Sequence, residues 1–200
     1  MVKTIIIVTG GPGTGKSHMA AEIVKRLDRI AALSYDRIKE TNFDKFGFDN
    51  KEQKEELNRF SLEEFYLSLR KQMRTGNHIL TEYPFYQVHR ERLSGLIEEY
   101  GYSAYTVYLY GDTDAIYQRG IRRDHESKRH PGHLMNRYHK EDYRQECLGF
   151  DAVPSYEQFC RMMETKDYNI MLGKIIPVDV TDIAAISCDW IVSQIRQDIL

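Results

Sequence analysis

Gly10-Gly11-Pro12-Gly13-Thr14-Gly15-Lys16-Ser17 is the stretch on which the fold of this chain turns. It fits G-x-x-x-x-G-K-[ST], a loop that binds phosphate through its backbone. Its flanks matter as much as its letters. Thr4-Ile5-Ile6-Ile7-Val8-Thr9 before it is a β-branched run of strand length. After it, Met19, Ala20, Ile23, Val24 and Leu27 recur at the spacing of one helix face. Glycines let successive N–H groups turn toward one point, and the helix behind adds unpaired N–H groups and a positive dipole end. Gly11, Gly13, Thr14 and Gly15 are therefore expected to wrap a nucleotide phosphate chain. Lys16 is placed to reach the β- and γ-phosphates, and the Ser17 hydroxyl to bind Mg²⁺.

Two hundred residues predict one domain over 1–200, with a lid at about 120–150. Hydrophobic content of 42% and charged content of 29% are those of an ordinary globular protein. A net charge of −2 gives no global electrostatic case for nucleic acid or membrane as partner. No apolar run approaches a membrane span, and the N-terminus enters a core strand directly, so no signal peptide is expected. Cys147, Cys160 and Cys188 are odd in number and widely spaced, with no C-x-x-C pair. Neither a disulfide framework nor a zinc site is expected, and a cytoplasmic location fits.

Further strands are expected at 30–35, 78–81, 104–110 and 174–180, and helices at 51–74, 87–100, 113–124, 156–164 and 182–199. Residues 41–50 read as a loop rich in aromatics and turn residues, and 125–150 as a polar segment without clear periodicity. Alternation of strand and helix implies an α/β fold, a parallel sheet covered on both faces. Ligands of such sheets sit at the carboxyl ends of the strands. The polar residues there are the loop itself, Asp36, Glu82 and Gly111-Asp112.

Asp36 is placed to face the hydroxyl of a phosphoryl acceptor and take its proton, and it would equally start a helix as an N-cap. Glu82 reads as a Mg²⁺ carboxylate or as a solvated strand end. Tyr83-Pro84-Phe85-Tyr86 would stack on a planar substrate or pack in the core. Arg119 and Arg123 share a helix face, with Arg122 beside them and Arg129 further on. They read as phosphate contacts delivered by a closing segment, or as a solvated basic face. His125, His130, His133 and His139 follow no standard zinc spacing and read as phosphate contacts or lid structure.

Together, the loop, Asp36, Glu82 and R-x₃-R followed by Arg129 resemble the small P-loop kinases. The resemblance is to the group around the polynucleotide 5′-hydroxyl kinase domain, zeta-toxin-like kinases and chloramphenicol phosphotransferase. It spans most of residues 3–130 by element order. It implies a three-layer αβα fold with a five-stranded parallel sheet in the order 2-3-1-4-5, of nucleotide-kinase type with a lid. It implies ATP and Mg²⁺ at Lys16 and Ser17, Asp36 as base, Arg123 and Arg129 as lid or nucleotide contacts, and Arg119 toward the nucleotide. Polynucleotide kinases tend to carry an aspartate after the third strand, where this chain has Glu82-Tyr83-Pro84.

The expected activity is transfer of the γ-phosphate of a nucleoside triphosphate to a hydroxyl or phosphate of a small molecule, nucleoside or nucleotide. The alternatives are a 5′-hydroxyl polynucleotide kinase and a nucleotide-dependent switch or regulatory ATPase. The basic stretch from Arg119 to Arg144 could hold a phosphodiester backbone, but acidic residues interrupt it. A guanine-reading N-K-x-D is absent, and Asp44-Lys45-Phe46-Gly47 lies in the expected loop with no apolar strand before it. An AAA-type motor would need a larger chain with sensor elements.

Overall fold

In the computed structural model, residues 3–126, 129–142 and 151–199 are described. Cys147, Arg144 and parts of the expected lid lie outside them. The strands are β1 (Thr4–Gly10), β2 (Ile30–Ser34), β3 (His78–Glu82), β4 (Ser103–Tyr110) and β5 (Lys174–Asp179). They form one parallel sheet in the order β2-β3-β1-β4-β5. The helices are α1 (Lys16–Arg26), α2 (Tyr35–Phe46), α3 (Lys51–Thr75), α4 (Arg90–Tyr100), α5 (Thr113–His125), α6 (Pro131–Leu134), α7 (Tyr156–Thr165) and α8 (Cys188–Ile199).

The unbroken apolar run of β1 follows from burial on both sheet faces. Ile6 and Val8 pack with Met19 and Ile23 of α1 and with Ile191 and Ile195 of α8. Ile5 and Ile7 point the other way, to Phe65 and Leu69 of α3 and Leu93 of α4. The period of two along a strand divides these neighbours between the layers. Helix ends follow local chemistry: Asn50 caps α3 by accepting from the Gln53 N–H at 2.9 Å, and Gly76 (φ 75°) closes it.

Three expectations are corrected. Residues 41–46 are not loop but the second half of α2, because Phe43 and Asn42 are buried there. The Asn42 amide donates to Ser61 Oγ at 3.0 Å, and Gly47 rather than Thr41 marks the stop. The D-x-x-G string is thus the end of a helix. The last helix begins at Cys188, after a short 3₁₀ turn at Ile183–Ala185. The helix expected from Gln87 opens as a 3₁₀ turn, Gln87–His89, before α4. Among the described residues no helix is long and apolar enough to cross a membrane.

Candidate active site

The loop between β1 and α1 has the backbone its glycines permit. Gly13 and Gly15 sit at φ 84° and 88°. A Cβ on Gly13 would come within 2.7 Å of the Ile116 carbonyl oxygen, so α5 lies hard against the loop. No side chain caps α1 and its first turn holds no acid, leaving the arrangement that favours an anion. Thr14 Oγ1 donates to the Gly11 carbonyl at 2.8 Å, and Lys16 Nζ donates to the same oxygen at 2.9 Å. Lys16 is 8% exposed. Burial lowers its pKa to about 8, against the opposing pull of Glu82 and Asp36.

Sheet register puts Glu82 beside Val8 on one side and Ser34 on the other. It is not a solvated strand end: it is buried, accepting from Ser34 Oγ at 2.7 Å and Ser17 Oγ at 3.3 Å. Burial, with Asp36 nearby, pushes its pKa upward against those two hydrogen bonds. Ser17 and Glu82 offer two hard oxygen groups side by side. That donor set suits Mg²⁺, which takes one or two protein oxygens and completes its shell with phosphates and water.

Asp36 sits in the first turn of α2 and does not cap it; Ser34 does, accepting from the Arg37 N–H at 3.4 Å. The Asp36 carboxylate is therefore available, and it meets Lys39 Nζ at 2.8 Å. Burial alone would raise its pKa, but Lys39 and Lys16 outweigh burial and hold it well below the usual carboxylate range. Lys39 in turn lies over the rings of Tyr35 and Tyr83, at 5.0 and 5.2 Å. Tyr83 packs on Phe85 and His89, Tyr86 packs on His89, and both tyrosines also line a cavity.

Arg119 and Arg123 are half-buried on one face of α5 while Arg122 is exposed. Arg119 Nη1 donates to the Thr181 carbonyl at 2.9 Å, and its Nε and Nη2 are buried without a partner. Such orphaned donors on a cation mark a place where a ligand's acceptors or π-face would fit. Arg123 and Arg129 approach from the other end of α5, both beside Asp124.

One cavity of about 390 Å³ is lined by Gly13, Lys16 and Ser17 of the phosphate loop and α1, by Asp36 of α2, and by Arg123 and Arg129. A second, of about 450 Å³, shares Ser17, Asp36, Arg123 and Arg129 and runs between α1 and β2 past Ala20, Ala32 and Leu80. Asp36 stands where the two meet. Lys39, Met162, Lys166 and Tyr168 also line the first cavity and were not singled out in the sequence. Lys166 Nζ lies 5.0 Å over the Tyr86 ring, a contact spanning eighty residues that no local pattern announces.

Three of the histidines lie against carboxylates, and His133 also lines the second cavity. His133 meets Glu40 at 3.2 Å, His130 meets Asp44 at 3.0 Å and His139 meets Asp49 at 2.9 Å. Phe43 lies within ring contact of both His130 and His133. The segment after α5 is thereby docked onto α2. Among the described residues no cluster of three metal-ligating side chains occurs.

The family model described as AAA domain matches residues 5–140, from β1 to just beyond α6. No curated protein matches the chain in sequence. Among solved structures, a candidate kinase from Chloroflexus aurantiacus J-10-fl has a TM-score of 0.77 at 21% identity, covering 99% of this chain and 96% of that one. The tunicamycin resistance protein of Deinococcus radiodurans has a TM-score of 0.57 at 15% identity, covering 98% and 95%. A gluconokinase from Sinorhizobium meliloti 1021 has a TM-score of 0.54 at 13% identity, covering 96% and 88%. At these identities the likeness is one of fold: a kinase-like P-loop fold.

Proposed function

The chain belongs to the AAA-domain family, and on that premise we propose that it is an ATP-dependent phosphotransferase acting on a hydroxyl of a small molecule. The observation that carries this is the one cavity that Asp36 shares with the phosphate loop, Lys16, Ser17, Arg123 and Arg129. A nucleotide switch needs the loop and the cation. It has no need of an ionised carboxylate in the same cavity that also lines a second one.

In this reading the triphosphate lies along Gly11–Gly15 and the α1 N-terminus, and Lys16 exchanges the Gly11 carbonyl for the β- and γ-phosphates. Ser17 and Glu82 would hold Mg²⁺, which neutralises phosphate charge when bound. Arg119 serves the nucleoside end through its unpartnered N–H groups. Asp36 accepts a hydrogen bond from the acceptor hydroxyl and takes its proton as the new O–P bond forms and the bond to ADP breaks. Arg123 and Arg129 face the moving phosphoryl group, and the docked segment beyond α5 covers it as a lid. ATP and unpaired Cys160 and Cys188 both suit the cytoplasm.

The test is ADP release from Mg-ATP against nucleosides, nucleotides, sugars and sugar acids, phenicol and aminoglycoside compounds, and 5′-hydroxyl oligonucleotides. Stimulation by one class is expected. ADP release that no acceptor changes would establish the regulatory ATPase instead.

Lys16 supplies a separate check on nucleotide binding. Its pKa is about 8 in the free protein, and phosphate beside it must raise that value. Binding near pH 8 should therefore take up a proton. Affinity is full below the free value and falls as pH rises above it, until the bound value is passed. Titration calorimetry in two buffers of different ionisation enthalpy measures the uptake. An identical heat in both would remove Lys16 from the phosphate.

A further inference from the structure

Asp124 is a buried carboxylate for which the proposed reaction has no use. It is 6% exposed, in the last turn of α5. A negative group that near a phosphate site is repulsive unless it is fully engaged. Both of its oxygens are engaged, and by the same two residues that face the cavities. Oδ1 accepts from Arg123 Nε at 3.0 Å and Nη2 at 2.9 Å. Oδ2 accepts from Arg129 Nη1 at 3.5 Å. Arg123 and Arg129 line both cavities; Asp124 lines neither. It lines a third space of about 170 Å³, which Arg123 and Arg129 share with it and with Pro12, Gly13 and Tyr117.

We propose that Asp124 is a positioning residue that ties Arg123 and Arg129 into one rigid pair aimed at the transferring phosphoryl group. The physical need is clear. Two guanidiniums brought to one cavity wall repel each other, and each long side chain has many rotamers to lose. A carboxylate bonded to both offsets the repulsion. It also fixes the fork of Arg123 through two N–H groups. Arg123 belongs to α5, whereas Arg129 lies beyond its end. Asp124 is thus the link between the helix packed on the phosphate loop and the segment docked onto α2. The inference rests on the phosphotransferase reading for its role, but not for its geometry.

The test uses Asp124→Asn, which keeps the shape and removes the charge, in the natural protein and in an Arg123→Ala/Arg129→Ala background. In the natural background kcat should fall by about tenfold or more with KM for ATP changed less than about threefold, because the loss is confined to the transition state. Affinity for ADP with aluminium fluoride, a mimic of the moving phosphoryl group, should weaken by a similar factor while that for ADP alone holds. In the double-alanine background Asp124→Asn should change neither quantity. Equal losses in both backgrounds, or a natural kcat in Asp124→Asn, overturn the proposal. Should Asp124→Asn fail to fold, Asp124→Glu keeps the charge but displaces it by one methylene. It should fold and show an intermediate kcat, and a natural kcat there overturns the proposal too. If the natural protein transfers phosphate to no acceptor yet the fluoride complex shows this pattern, the kinase reading falls and the role of Asp124 in anion binding stands. If the natural protein binds no fluoride complex, both fall.

Discussion

Asp36→Asn is expected to lower kcat by ~10²–10⁴-fold, the range of a lost general base, while nucleotide affinity stays close to that of the natural protein. Asparagine fills the same volume and still accepts a hydrogen bond through its carbonyl. It cannot hold the proton that leaves the acceptor. Thr14 and Lys16 bond the Gly11 carbonyl and not Asp36, so the phosphate loop keeps its contacts. The substitution also frees Lys39, whose partner at 2.8 Å is Asp36. Lys39→Met separates the two effects, since it removes the ion pair and leaves the carboxylate. Rapid-quench transfer from labelled ATP, with calorimetric nucleotide affinity, measures both. The pH profile adds a sign. Lys39 and Lys16 hold Asp36 below the usual carboxylate range despite its burial, so it is ionised throughout the neutral range. No rise of kcat with pH is expected from this group above about pH 5, past the ordinary aspartate value. Equal turnover by Asp36→Asn and the natural protein would remove the base and return the chain to the nucleotide-switch class.

Residues 4–27 could be read from the sequence because their logic is local. A β-branched run, a glycine loop and a helical face within twenty-odd residues dictate one another, and the structure has β1, the loop and α1 in those places. Strand ends were legible for the same reason, and with them Asp36 and Glu82. The extension of α2 to Phe46 was not. Asn42, Phe43 and Asp44 carry turn-like or neutral propensities. They are helical because Phe43 packs on Phe48 and Asn42 bonds Ser61, contacts the local string does not contain. The histidine segment was illegible in a stronger sense. His130 and His133 find Asp44 and Glu40 across 86 and 93 residues. The spacing of the histidines says nothing about those partners. Ser34 shows how such a gap misleads. Asp36 has good N-cap chemistry, but the helix starts two residues earlier and leaves that carboxylate free for the cavity.

Removing both Arg123 and Arg129 by alanine should lower kcat by ~10³-fold or more, the scale on which arginines act in phosphoryl transfer. The loss should fall on kcat rather than on affinity for ATP. The loop backbone, the α1 N-terminus and Lys16 hold the nucleotide, while the two guanidiniums reach the same cavity from α5 and the segment after it and act on the charge that builds as the phosphoryl group moves. Lysine at either position should restore only part of the rate. A lysine ammonium cannot present the fork that Arg123 gives to Asp124 through Nε and Nη2. Arg122→Ala is the matched control. It lies on the same helix and carries the same charge, but it is exposed and lines neither cavity. If the basic run of α5 were only a solvated face, Arg122→Ala and Arg123→Ala would behave alike. If the run merely raised the local concentration of an anionic substrate, all of these losses would shrink together as salt is added and would appear in KM. A kcat effect confined to Arg123 and Arg129, and insensitive to salt, is what a guanidinium pair in contact with the reacting phosphate requires.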